Sequence, residues 1–266
     1  MSLASVTTIV RPTAKRPGAP ALVPIRVCEA PAPRAAAAVS CSRCCLQNVC
    51  LPSGLAAQAL LDMDELTRLK RRVAKGAVLY RSGDGLESLY ALRGGSFKIV
   101  GLSRHGEQKV IGLHLPGEVM GLEAINGQRH GYDAIALEDS EVCVIPFGLL
   151  TKLSMRLPVL QQQLLRILSG DISRDQGLML LLGGMDAEQR LAAFLLSLSR
   201  RYHRLGYAPL EFSLRMTREE IGSYLGLTLE TVSRLFSRLQ KDGLITARHR
   251  DIVLKDVARL REKVGH

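Results

Sequence analysis

Residues 216–235 read MTREEIGSYLGLTLETVSRL, and their local signals predict two short helices joined by a tight turn. Thr217 followed by Glu220 is a capping box, in which hydroxyl and carboxylate each satisfy a backbone N–H at the helix start. A helix then runs from Glu219 to Leu225, Gly226 supplies the positive φ that ends it, and Thr228 caps the next. The second helix carries Glu230, Ser233 and Arg234 at i, i+3 and i+4, on one face near its N-terminus. In a helix-turn-helix that face enters the major groove of duplex DNA. Arg234 has the fork that matches guanine O6 and N7, and Glu230 can accept from cytosine N4. The competing reading is an ordinary surface Glu–Arg pair, which is worth little. After Gly243, Leu244-Ile245-Thr246 and Ile252-Val253-Leu254 form two short strands around Arg248-His249-Arg250, the outline of a wing with a basic tip.

Upstream, the spacing predicts a long helix from Pro158 to Leu182, with Pro158 in the first turn where its missing N–H costs nothing. Gln161, Leu165, Leu168, Ile172, Asp175, Met179 and Leu182 follow alternating steps of four and three, the a/d seam of a coiled coil. Packing of one amphipathic helix on its own domain also explains such a stripe. We read a dimer helix held near its association threshold, since Asp175 in the middle of the seam would bring two carboxylates together in a symmetric pair.

Further upstream the pattern changes. Leu55 to Leu69 has helical spacing, and Ala77 to Pro146 is a series of short apolar runs separated by turns. Gly94-Gly95 separates Leu89–Leu92 from Phe97–Val100, and Arg104-His105-Gly106 separates the latter from Val110–Leu113. Closely spaced strands of this kind imply an antiparallel barrel or sandwich. The fold class is therefore α+β.

The chain has 266 residues, 47% apolar and 23% charged, the composition of a globular protein with a substantial core. No apolar run approaches the ~18 residues of a membrane span, and the N-terminus lacks the apolar run of a secretory signal; the expected location is the cytoplasm, with no membrane partner. Aromatics at 4% disfavour modules that stack single-stranded bases. The net charge of +11 is uneven, with an excess of four positive charges over 1–40, two over 41–185 and five over 186–266. The expected organisation is a flexible, basic, proline-rich arm (1–40), a strand domain (41–157), a dimerisation helix (158–185) and a DNA-binding domain (186–266).

Six cysteines in a chain without an export signal point to ligands or reactive thiols rather than disulfides. Cys41, Cys44 and Cys50 form a C-x2-C-x5-C cluster, and Cys143 stands alone in EVCVIP. Three close thiols hold an iron–sulfur cluster or zinc once a fourth ligand arrives, and the spacing does not choose the metal. By itself, Cys143 reads as a small core residue.

With these stretches assembled, the chain resembles the Crp/Fnr superfamily, and within it the oxygen-responsive Fnr type, called Anr in some bacteria. CSRCCLQNVCLP, GDGLESLYALRGGSFK, GLHLPGEVMGLEAI, EVCVIPF, LSGDISRDQGLMLLL, QRLAAFLLSLSRR and MTREEIGSYLGLTLETVSRL occur in the family's order from Cys41 to about Leu254. The resemblance implies a cupin-like antiparallel β-roll sensor, a dimerisation helix and a winged helix-turn-helix. It implies that Cys41, Cys44, Cys50 and Cys143 ligate a [4Fe–4S] cluster, and that oxygen damages the cluster and weakens both dimer and DNA binding. It further implies that Glu230, Ser233 and Arg234 read TTGAT-like half-sites in an inverted repeat, that Ile172 and Asp175 belong to the dimer switch, and that the regulator contacts RNA polymerase. Cys45 departs from the family pattern and reads as a bystander; Cys28 lies in the arm and reads as free.

Three rivals remain. A cyclic-nucleotide-responsive relative needs, besides Gly117-Glu118 and Gly121, an Arg followed by Ser or Thr for the phosphate, where this chain has His130-Gly131. A zinc-stapled adaptor would be indifferent to air, and an electron carrier would need neither the Glu230/Ser233/Arg234 face nor a dimer seam. An enzyme is disfavoured, since His105, His114 and His130 occur singly and no nucleophile–base pair stands out.

Overall fold

The computed structural model describes residues 40–103 and 106–265. The expected arm as far as residue 39, with Cys28, and the Arg104-His105 turn lie outside the described residues. A 3-10 turn at Cys41–Arg43 leads to α1 (Ala57–Leu66) and then to β1 (Lys70–Val73), β2 (Val78–Tyr80), β3 (Ser88–Gly94), β4 (Phe97–Leu102), β5 (Gln108–His114) and β6 (Val119–Met120). The short α2 (Ala124–Gly127), β7 (Asp133–Ala136) and β8 (Ser140–Pro146) complete this part. Next come α3 (Phe147–Arg156), α4 (Pro158–Gly184), α5 (Ala187–Arg204) and β9 (Glu211–Ser213). The chain continues through α6 (Arg218–Leu225), α7 (Leu229–Lys241), β10 (Ile245–Arg248), β11 (Asp251–Leu254) and α8 (Val257–Val264).

Two four-stranded sheets, ordered β1-β8-β3-β6 and β2-β7-β4-β5, form the antiparallel roll. Strand alternation sorts their side chains between two cores. Leu92 and Val142 face Phe97, Ile99 and Ala134 of the second sheet. Leu89, Ala91 and Ile145 face outward onto Leu51, Met63, Leu150 and Leu160, under the N-terminal segment and helices α1, α3 and α4. Cys143 takes the same side as Ile145, which turns its thiol toward the residue 41–55 segment.

Helix α4 starts at Pro158, as the spacing predicts, and runs two residues beyond Leu182. Leu160, Leu164, Ile167 and Leu168 pack on the roll, whereas Leu165, Ile172 and Met179 of the seam are 60%, 56% and 70% exposed. The seam therefore splits: Leu168 serves the chain's own core, and its middle faces outward. Asp186 and Gln189 cap α5 reciprocally. Arg190 donates to the carbonyls of Leu182, Met185 and Leu225 at 2.8, 2.9 and 3.2 Å, satisfying groups that helix ends leave open.

The third sheet, β10-β11-β9, is the wing with a strand added by Glu211–Ser213. Its tip is shorter than the expected Arg248-His249-Arg250: Arg248 pairs with Asp251 inside the ladder, and His249 takes φ 54° to close the turn. The helix-turn-helix is tight enough that a Cβ on Gly222 would lie 2.6 Å from the Leu227 carbonyl oxygen. Gly222→Ala is expected to destabilise the protein by roughly 1–3 kcal/mol through that backbone clash. Gly170→Ala, in α4 with nothing within 4 Å of the added carbon, is expected to stabilise by about 0.5–1 kcal/mol; urea unfolding of both variants checks the contrast.

Candidate metal centre and nucleic-acid interface

Cys41, Cys44, Cys50 and Cys143 are free thiols lining one small cavity of about 30 Å³. The first three come from a segment of turns, whose backbone bonds run Cys44 N to Cys41 O, Cys50 N to Leu46 O and Ser53 N to Cys50 O. The fourth is held in the middle of a sheet, opposite Lys70 on β1 and Ala91 on β3. Leu51, Met63 and Ile145 supply an apolar wall, and Cys41 Sγ lies 3.1 Å from Thr67 Oγ1. Cys45, one residue from Cys44, is not among the residues that line this cavity.

The low-dielectric setting governs the thiols' chemistry. Burial pushes Cys50 up to about 12, and raises Cys41 and Cys143 as well. Lys70 acts the other way on Cys41 and Cys143, and Arg93 on Cys143. A group that binds thiolates here must displace protons, and two cations stand by to offset the resulting negative charge. Among the described residues no three His, Cys, Asp or Glu side chains converge on a single point as ligands of one ion. Lys70, Arg93 and Thr67 gave no signal in the sequence, because only strand register and the α1 packing bring them to the thiols.

At the other end, α6 and α7 realise the predicted caps. Thr217 Oγ1 accepts from Glu220 N at 3.1 Å, Glu220 Oε2 accepts from Thr217 N at 2.6 Å, and Thr228 Oγ1 accepts from Thr231 N at 3.2 Å. Gly226 has φ 65°. Glu230, Ser233 and Arg234 are all exposed on the first turns of α7. Arg234 donates to Thr231 Oγ1 at 3.3 Å, and no ion pair joins it to Glu230 among the described residues. The helix N-terminal N–H and Thr228 hold the Glu230 carboxyl below its ordinary range. The Arg218 guanidinium lies 3.3 Å over the Phe236 ring, bracing α6 against α7.

The position where a cyclic phosphate would need a guanidinium holds protein contacts instead. His130 stacks on Tyr80 with centroids 3.8 Å apart, and its Nδ1 lies 3.0 Å from Glu123. A Cβ on Gly121 would come within 3.1 Å of that imidazole.

A roll of this topology, a long helix with an open apolar stripe and a winged helix-turn-helix define a class of DNA-binding transcription regulators. Residues 70–156 match the cyclic nucleotide-binding domain family, and residues 189–263 the Crp-like helix-turn-helix domain. The "Transcriptional regulatory protein btr" of Bordetella pertussis is 47% identical over 228 residues, covering 86% of this chain and 94% of that protein. The "Fumarate and nitrate reduction regulatory protein" of Escherichia coli K12 is 42% identical over 229 residues, covering 86% and 92%. Among solved structures, FixK2 from Bradyrhizobium japonicum superposes with a TM-score of 0.67 at 32% identity, covering 73% of this chain and 96% of that one. The chain belongs to the Crp/Fnr family: it is a DNA-binding transcription regulator and not an enzyme.

Cyclic AMP at millimolar concentration is expected to leave the thermal midpoint unchanged. A competent site at a hundredfold excess over Kd would add about 2.7 kcal/mol, so an upward shift in a melting assay would restore the nucleotide reading.

Proposed function

We propose that the protein is an oxygen-sensing regulator of anaerobic gene expression, in which Cys41, Cys44, Cys50 and Cys143 hold a [4Fe–4S] cluster and the loaded chain binds DNA as a homodimer. The observation that carries this reading is the meeting of four free thiols, from a turn segment and a distant strand, round one apolar cavity. The names of the relatives in Escherichia coli and Pasteurella multocida, the latter an "Anaerobic regulatory protein" 44% identical over 228 residues, support it. So does the donor set: four thiols lining one cavity match a group with several metal atoms, each taking one sulfur. Such a cluster supplies an oxidant-sensitive metal centre.

This chain's own residues then do the rest. Lys70 and Arg93 offset thiolate charge, and Cys143 ties the turn segment to the roll. Ile172, with Leu165 and Met179, offers an apolar stripe for a second copy, while Asp175 opposes that association. Burial raises the Asp175 carboxyl's pKa and Arg174 lowers it, with a net rise. In the dimer, Glu230, Ser233 and Arg234 of each copy read half-sites resembling TTGAT, and surface loops contact RNA polymerase, all within the cytoplasm.

Anaerobic purification is expected to give a coloured protein containing iron and sulfide, dimeric by light scattering, that binds an inverted-repeat duplex and loses colour and binding in air. Colourless protein that binds equally in air sinks the reading and favours the zinc-stapled one. Serine at any of the four cysteines should abolish iron retention, whereas Cys45→Ser should not. Arg234→Ala should weaken the specific duplex by about 1–3 kcal/mol and leave random duplex nearly untouched. Asp175→Ala should remain dimeric in air; a monomeric variant would remove Asp175 from the switch.

A further inference from the structure

Glu118 sits in the turn between β5 and β6 with a side chain only 14% exposed, and three parts of the molecule converge on it. From α5, Arg201 donates through Nε to Oε1 at 3.1 Å and through Nη2 to Oε2 at 2.7 Å, a two-pronged pair. Arg201 is itself 8% exposed and donates again to the Leu113 carbonyl at 2.5 Å. From α4, Arg174 Nη1 lies 3.8 Å from Oε2, and its other nitrogen holds Asp171 at 3.0 Å. From the roll, Leu115 N donates to Oε2 at 3.1 Å, and His114 lies 3.6 Å away. Burial alone would raise the carboxyl's pKa, but Arg201 and Arg174 outweigh it and hold the group ionised.

The neighbouring residue faces the thiol segment. Gly117, at φ +86°, is so close to Val49 that a Cβ there would lie 3.0 Å from Val49 Cγ2 and 3.4 Å from its carbonyl oxygen. Val49 is the residue before Cys50. Arg174 lies on α4 between Ile172 and Asp175, and α5 carries Leu191, Phe194, Leu195 and Leu198 into the core of the winged helix. The turn at Gly117-Glu118 thus touches the thiol segment, the dimerisation helix and the DNA-binding domain within two residues.

We propose that Glu118 is a positioning residue for DNA reading, fixing α5 and the winged helix to the roll through Arg201 and passing movement of the 44–50 segment to α4 and α5 together. Two ties outside this junction set the same posture: Lys98 Nζ to Glu220 Oε1 at 2.7 Å, and Val110 N donating to Ser223 Oγ at 2.9 Å. Both engage α6, so the first helix of the reading motif is tied to the roll directly as well as through α5. The link to the 44–50 segment rests on the cluster reading above; the posture does not.

The test is a double-mutant cycle on the full chain with Glu118→Gln, Arg201→Gln and the pair, read by hydrogen exchange and by binding to the inverted-repeat duplex. Each single variant is expected to speed exchange across residues 108–116 and 198–204 and to lower specific DNA affinity ~10-fold. The pair should lose no more than either alone, while iron and sulfide content stays at the wild-type level. Normal DNA affinity in Glu118→Gln, or losses that add, would overturn the proposal. Arg201→Lys keeps the charge but not the fork; it should fold if the glutamines do not, and show intermediate exchange, and wild-type exchange in it would count equally against the proposal. Exchange is measured on iron-loaded and iron-free protein. A wild type that takes up no iron therefore fails the cluster reading while the 108–116 segment still decides the role of Glu118.

Discussion

One apolar surface holds the two halves of the molecule together. Leu191, Leu195 and Leu198 of α5 share a continuous core with Ile221, Val232, Phe236 and Leu239 of the reading motif, and the same core includes Val110, Leu113, Leu115 and Leu137 of the roll. A helix placed between two domains in this way cannot keep a solvated polar face all round. Arg201 is the consequence: its position on α5 takes a guanidinium out of water, where an unpaired charge is costly. The bidentate pair with Glu118 and the bond to the Leu113 carbonyl satisfy it. Domain posture is therefore set by an apolar contact that supplies the energy and an ion pair that supplies the registration.

The thiol cavity follows a related logic on the outer face of the first sheet. Alternation along β8 sends Val142 to the inter-sheet core and Cys143 to the outer face, so a shift of one residue in register would bury the thiol among the wrong neighbours. The other three thiols are on backbone held by turns rather than by a ladder. One thiol is thus fixed by strand pairing and three by the local turns of one segment. Gly117 is where that segment rests on the roll, and the absence of a side chain there permits the close approach of Val49.

What the sequence makes legible is what local chemistry decides. Thr217, Glu220, Gly226 and Thr228 announce the helix-turn-helix because caps and a positive φ depend on residues within a few positions. Pro158 marks the start of α4 for the same reason. The wing tip is one residue shorter than the Arg248-His249-Arg250 run suggests because His249, not a glycine, takes the left-handed φ and leaves Arg248 in the ladder. The capping box Asp186–Gln189 was equally available as a signal for α5 but is not of the Ser/Thr-x-x-Glu form. Glu118 with Arg201, 83 residues apart, and Lys98 with Glu220, 122 apart, are invisible to any local pattern. Lys70 joins Cys143 only through strand pairing.

The match to a cyclic nucleotide-binding domain shows how little of a ligand a fold dictates. Recognition of a phosphodiester needs a guanidinium and a hydroxyl aimed into the roll, and this chain offers an imidazole stacked on Tyr80 and a glycine in their place. Glu118, in the Gly-Glu turn, is turned outward onto two arginines from the helices instead of toward a small molecule. Its carboxylate is already bonded through both oxygens, to Arg201 and to the Leu115 N–H. The roll thus has the strands and the turn of that domain, while the polar groups at the turn and at His130 join parts of the protein to one another.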